Sequence, residues 1–219
     1  NTQDKGLVEK ADSEYTRKDS RRSKNAGGLF PIYVVFTTRH GLNNKYGPAT
    51  TDMLENAMRG VVAAVRKNLE WGAILIFADD PKSMAEFGLK PVPAKDPWQL
   101  KLALSDLDSA LGKRGARIGA LLIVGGPEIV PFHNLPNPTD DADPFVPSDN
   151  PYATRDENYF VPEWPVGRLP DGHGSDPGLL FAALRSITDL HNKKTIQKSG
   201  LLGNFLNWVI MLFFPKRIL

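Results

Sequence analysis

Along much of the chain, a short block of consecutive apolar residues is followed by a longer stretch in which apolar positions recur every three or four residues. "PIYVVF" (31–36), "AILIFAD" (73–79) and "IGALLIVGG" (118–126) are the blocks. Their length and their β-branched and aromatic content predict strands buried on both faces. Between the first two, Pro48 suits a first helical turn, and "ATTDMLENAMRGVVAAVRKNL" puts Met53, Ala57, Val61, Val62 and Val65 at helical spacing. Between the second and third, "DPWQLKLALSDLDSALGKRG" repeats the helical period through Leu100, Leu104, Leu107 and Leu111, with Gly112 or Gly115 as its stop.

Strands apolar on both faces that alternate with amphipathic helices predict an α/β fold, a three-layer sandwich around a mainly parallel sheet. In such sheets ligands bind beyond the carboxyl ends of the strands. Here those ends read "TTRHGLNN", "DDPKS" and "GGPEIVPFHN". Residues 127–157, rich in Pro, Asp and Asn, read as a long irregular loop. "NYFVPEWPVGRLP" follows as an extended segment whose Pro162 and Pro165 argue against a central strand. Asp176 and Pro177 then form an N-cap and first turn for the helix "GLLFAALRSITDLHNKK".

The two ends differ from this body. Residues 1–29 mix both charge signs, hold few large apolar side chains and read as a flexible arm or linker, leaving 30–199 as the domain. Residues 200–219 are the most apolar stretch, interrupted by Asn204 and Asn207 and stopped by Pro215. That is short of the roughly 20 residues that span a bilayer. The segment reads as one that packs on a further part of the protein or a protein partner. The competing reading is membrane contact through Trp208, Lys216 and Arg217.

Composition narrows the function classes. The 27 Lys+Arg against 25 Asp+Glu leave a net charge of +2, too little for a nucleic-acid partner. Across 219 residues there is no cysteine, so the chain carries no disulfide, thiolate metal site or cysteine nucleophile of its own. The chain opens on Asn1 and shows no signal peptide, from which a missing natural start and a cytoplasmic setting are expected.

Several side chains are candidates for chemistry. His191 falls in a last helical turn, where an imidazolium suits the dipole. His133 sits among prolines beyond the third strand, and His40 in the loop after the first. His173 lies between two glycines, where a turn accounts for it. Asp79 and Asp80 end the second strand. They read as a capping pair before Pro81, with a receiver-like phosphoacceptor on a flavodoxin-like scaffold as the alternative. Asp140, Asp141, Asp143, Asp149 and Asp156 offer oxygen ligands to Ca²⁺ without EF-hand spacing, so a solvated acidic loop is favoured over a calcium site.

The order "ALLIVGGPEIVPF", "SDNPYA", "PVGRLP" resembles the gingipain-type cysteine peptidases of the caspase-like clan. The matching residues are Gly125, Gly126, Ile129, Pro131, Ser148, Asp149, Tyr152, Gly167 and Arg168, within about residues 118–192. The resemblance implies a caspase-like sandwich and, in the parent protein, hydrolysis of peptide substrates by a Cys-His dyad. That dyad lies downstream of the Gly-Arg helix in the family, so this chain corresponds to the amino-terminal, non-catalytic half. No catalytic, cofactor-binding or metal residue is assigned within it. A non-enzymatic scaffold that binds a partner or membrane is the alternative.

Overall fold

The computed structural model describes residues 28–139, 143–156 and 159–193. Residues 1–27 of the charged arm and the apolar segment 200–219 lie outside the described residues. The apolar blocks form β1 (Phe30–Thr37), β2 (Gly72–Phe77) and β3 (Ala116–Val124). The helices are α1 (Arg39–Tyr46), α2 (Pro48–Arg66), α3 (Pro81–Ala85), α4 (Pro97–Gly112) and α5, helical over 178–193. Three short strands complete the set among the described residues: β4 (His133–Pro136), β5 (Phe145–Ser148) and β6 (Val166–Leu169).

The main sheet runs β2–β1–β3–β6 with every pairing parallel. Strand side chains alternate between faces. On β1, Tyr33 meets the ring of His191 on α5, whereas Phe36, of opposite parity, meets Tyr152. Helices therefore cover both faces, and the fold is a three-layer α/β sandwich. One apolar core joins Val34 and Phe36 of β1, Ile76 of β2 and Ile123 of β3 to Leu54 and Met58 of α2 and to Leu104 and Leu107 of α4. β6 begins immediately after Pro165, so the ring withdraws no donor from the strand itself, and β6 lies at an edge among the described residues.

Three local expectations change. On α2 the buried stripe is Leu54, Met58, Val61 and Val65, while Met53 is 60% exposed. The spacing 4-3-4 follows the helical period as well as the stripe through Met53 does, and burial goes to the set facing the sheet. His40 stands in the first turn of α1, not in a loop. The stretch 127–157 contains the β4–β5 ribbon and a 3-10 turn at Asn150–Ala153. The Asp176 cap is as expected, its carboxylate accepting from Gly178 N–H at 2.9 Å.

Candidate functional site at the carboxyl edge of the sheet

β1 connects to β2 on one side and β3 lies on the other, so the strand order reverses between β1 and β3. In open α/β sheets that reversal leaves a crevice at the carboxyl ends, the usual ligand position. Here a cavity of about 520 Å³ occurs there, lined among others by Gly41, Asn44 and Lys45 of α1 and by Pro127, Glu128 and Pro131 beyond β3.

Close packing shapes its floor. Thr38 caps α1: its hydroxyl accepts from Gly41 N–H at 3.3 Å and donates to the Ile129 carbonyl. Thr37 donates its hydroxyl to the Val124 carbonyl at 2.9 Å. A β-carbon on Gly41 would stand 2.5 Å from the Ile129 α-carbon, so only glycine lets α1 lie against the loop after β3. Both threonine hydroxyls are thus spent on backbone.

The carboxylates after β2 are spent too. Asp79 accepts from the backbone N–H groups of Arg39 and His40, each at 2.7 Å, and so caps α1 across the sheet edge. Asp80 caps its own helix through Lys82 and Ser83 N–H and receives Arg39 Nε at 2.8 Å. Burial pushes the Asp80 carboxyl upward, but those N–H groups and the Arg39 charge outweigh it and hold it below the usual carboxylate range. Arg39 also donates to Glu55 at 2.6 Å and lies over the Phe77 ring at 4.2 Å. The same balance, burial opposed by Arg39 and Arg59, leaves Glu55 below its ordinary value.

On the other side of the crevice, Lys45 Nζ lies 2.7 Å from Asp171 and 2.8 Å from Glu128. It ties α1 to the loop that follows β6. A β-carbon on Gly126 would stand 2.0 Å from Asp171, so that loop rests on bare backbone.

A dense constellation surrounds Arg168 on β6, whose side chain is 8% exposed. Its Nε and Nη2 donate to the two carboxylate oxygens of Asp149 at 2.9 and 2.6 Å. Its Nη1 donates to the carbonyls of Gly125 and Val130 at 2.7 and 2.8 Å, and the guanidinium lies over the Phe132 ring at 4.3 Å. Tyr152 donates its hydroxyl to the Pro131 carbonyl at 2.7 Å, and burial pushes that phenol well above its ordinary value. One guanidinium thereby joins the end of β3, the Ser-Asp turn after β5 and β6 itself.

The sequence candidates are dispersed. His40 meets Asn44 at 2.8 Å, His173 is exposed in a bend, and His191 packs on Tyr33. His133 is 1% exposed, and both its ring nitrogens lack a hydrogen-bond partner among the described residues. Of the acidic set, Asp149 belongs to Arg168, Asp156 accepts Lys101 Nζ through its backbone carbonyl, and Asp140 and Asp141 lie outside the described residues. No group of three or more metal-ligating side chains gathers among the described residues. Among the described residues, no helix is long and apolar enough to cross a membrane.

Sequence reading singled out Asp149, Tyr152 and Arg168 but passed over Arg39, Lys45, Glu55 and Asp171. The signal available for Arg39 was its place at a strand's carboxyl end. Nothing in the spacing pointed to Lys45 and Asp171, whose pairing is made by tertiary structure alone. No protein-family model, curated protein or solved structure matches this chain.

Proposed function

We propose that the chain is the amino-terminal, non-catalytic portion of a gingipain-like cysteine peptidase domain with a caspase-like fold. The observation that supports this reading is the Arg168 constellation. The separate stretches that resemble the family, "GGPEIVP", "SDNPY" and "GR", meet at one guanidinium through Gly125, Val130, Asp149 and Arg168. Motifs that share a physical purpose make a resemblance less accidental than motifs scattered over a surface.

The chemistry then divides between two parts of the parent. This part supplies a sheet edge in which Thr37, Thr38 and Tyr152 spend their hydroxyls on backbone carbonyls, and carboxylates pair with guanidinium and backbone N–H groups. It has no cysteine, and the resemblance implies that both the thiolate that attacks the peptide carbonyl and the histidine that assists it lie downstream. The test is the parent reading frame and its product. Beyond the codon for Leu219 the frame is expected to encode an apolar strand ending in Gly-His-Gly and a later strand ending in Cys. The purified parent is expected to cleave fluorogenic peptides and to lose that activity on Cys→Ala substitution. A frame lacking both strands overturns the proposal.

The paired, braced edge also favours a second reading, a non-enzymatic partner-binding module. Co-sedimentation with anionic liposomes, with and without residues 200–219, tests its membrane version; equal sedimentation removes it.

A further inference from the structure

The β4–β5 ribbon is a sheet of its own, paired antiparallel from His133↔Ser148 to Pro136↔Phe145. Two strands alone are marginally stable in water, and Pro136 and Pro147 withdraw ladder donors from these. Asn134, Pro136, Phe145, Val146 and Pro147 are exposed, whereas Leu135 and Ser148 are half-buried. His133 is the ribbon's buried residue, and it carries the contact with the body.

That contact is aromatic. The imidazole makes T-shaped contacts with Trp98 of α4 and Tyr152 of the 3-10 turn, with ring centroids 4.6 and 4.5 Å apart. Its Nδ1 and Nε2 are out of reach of solvent and have no hydrogen-bond partner among the described residues. A neutral imidazole tolerates this, because its single N–H can point at a ring face. An imidazolium carries two N–H donors and a charge, and burying it unpaired is strongly unfavourable.

Among the described residues, the charged groups that act on His133 are Asp149 beyond β5, Asp96 at the N-cap of α4 and Lys101 within α4. Each is engaged elsewhere. Asp149 holds Arg168, Asp96 caps α4 through Trp98 and Gln99 N–H, and Lys101 donates to the carbonyls of Arg155 and Asp156. Among the described residues no acceptor stands ready for a second imidazole proton.

We propose that His133 is an acid-operated latch, whose protonation releases the β4–β5 ribbon from Trp98 and Tyr152 while the parallel sheet stays folded. The ribbon hangs between Pro131, which lines the crevice, and Asp149, which holds Arg168. Its release therefore loosens the carboxyl edge of the sheet. In agreement, burial brings the imidazole down from 6.5 to about 4.

Hydrogen exchange read by mass spectrometry on the whole chain, corrected for intrinsic rates, tests the latch. Between pH 7.5 and 4, protection of peptides covering β4 and β5 is expected to fall by roughly a hundredfold, as the depression from 6.5 to about 4 requires. β1 and β3 are expected to keep their protection, and His133→Phe to hold the ribbon closed at both pH values. Unchanged ribbon protection in the wild type, simultaneous loss over β1 and β3, or equal loss in the variant each overturns the proposal. Nuclear magnetic resonance titration of the wild-type His133 ring is a check that needs no variant. A midpoint above pH 6 with the ribbon still protected is incompatible with the latch.

Discussion

Arg168 illustrates how much one side chain carries at this edge. Its planar guanidinium satisfies both oxygens of Asp149 and two backbone carbonyls at once, which a lysine ammonium on a flexible stem cannot reproduce. Removing it leaves a largely buried carboxylate and two carbonyls without their donor. Arg168→Met is expected to lower unfolding free energy by about 3–5 kcal/mol, and Arg168→Lys by more than half of that, in urea titrations. A double-mutant cycle with Asp149→Asn is expected to be strongly non-additive, because the two groups act as one unit. If Arg168→Lys matches the wild type, the bidentate geometry contributes nothing. Tyr152→Phe removes one donor from the Pro131 carbonyl and is expected to cost about 1–2 kcal/mol. The sequence marked Asp149, Tyr152 and Arg168 through their order and residue types. That they belong to one clamp was not legible, because the turns of 127–157 that bring them together carry no periodic signal.

At the scale of elements, what was legible follows from how much apolar surface each one buries. β1, β2, β3, α2 and α4 announce themselves by runs or stripes, and the parallel sheet, though not its strand order, follows from their alternation. α1 does not, since "RHGLNNKY" buries only Gly41 and Leu42. Its stability comes instead from Thr38 at its cap and from Asp79, brought in from the end of β2. β4 and β5 were missed because Pro136, Pro144 and Pro147 read as loop. Asp79→Ala is accordingly expected to cost about 1–2 kcal/mol and to fray α1, seen as faster amide exchange over residues 39–46, while Asp80→Ala frays α3. Since both Asp79 oxygens accept backbone N–H groups, acetyl phosphate with Mg²⁺ is expected to leave the protein's mass unchanged. An added phosphoryl mass lost in Asp79→Asn shows the cap is not its role.

The whole molecule has a net charge of only +2, so its pH response arises from particular sites and not from a global field. Two kinds of site act in different windows. His133 is depressed from 6.5 to about 4 by burial, so below pH 6.5 the unfolded chain takes up a proton that the folded one refuses. Stability falls across that interval, by at most about 3 kcal/mol, and by less if the ribbon opens first and lets the ring titrate. Glu55 and Asp80 respond at lower pH. Both are held below their ordinary values of 4.5 and 3.8, so the stability they confer is complete above those values and is lost as pH falls through the lower folded ones. Urea unfolding from pH 8 to 3 is therefore expected to show a plateau above pH 6.5 and a decline in two stages. His133→Phe should remove the upper stage and leave the lower. Added salt should blunt the lower stage, where partly exposed ion pairs are screened, and spare the upper, where the cause is burial. A single decline confined below pH 4.5 would mean that the buried imidazole is paired in solution. In that case the weak point of this edge in acid lies in the Arg39 network and not in the ribbon.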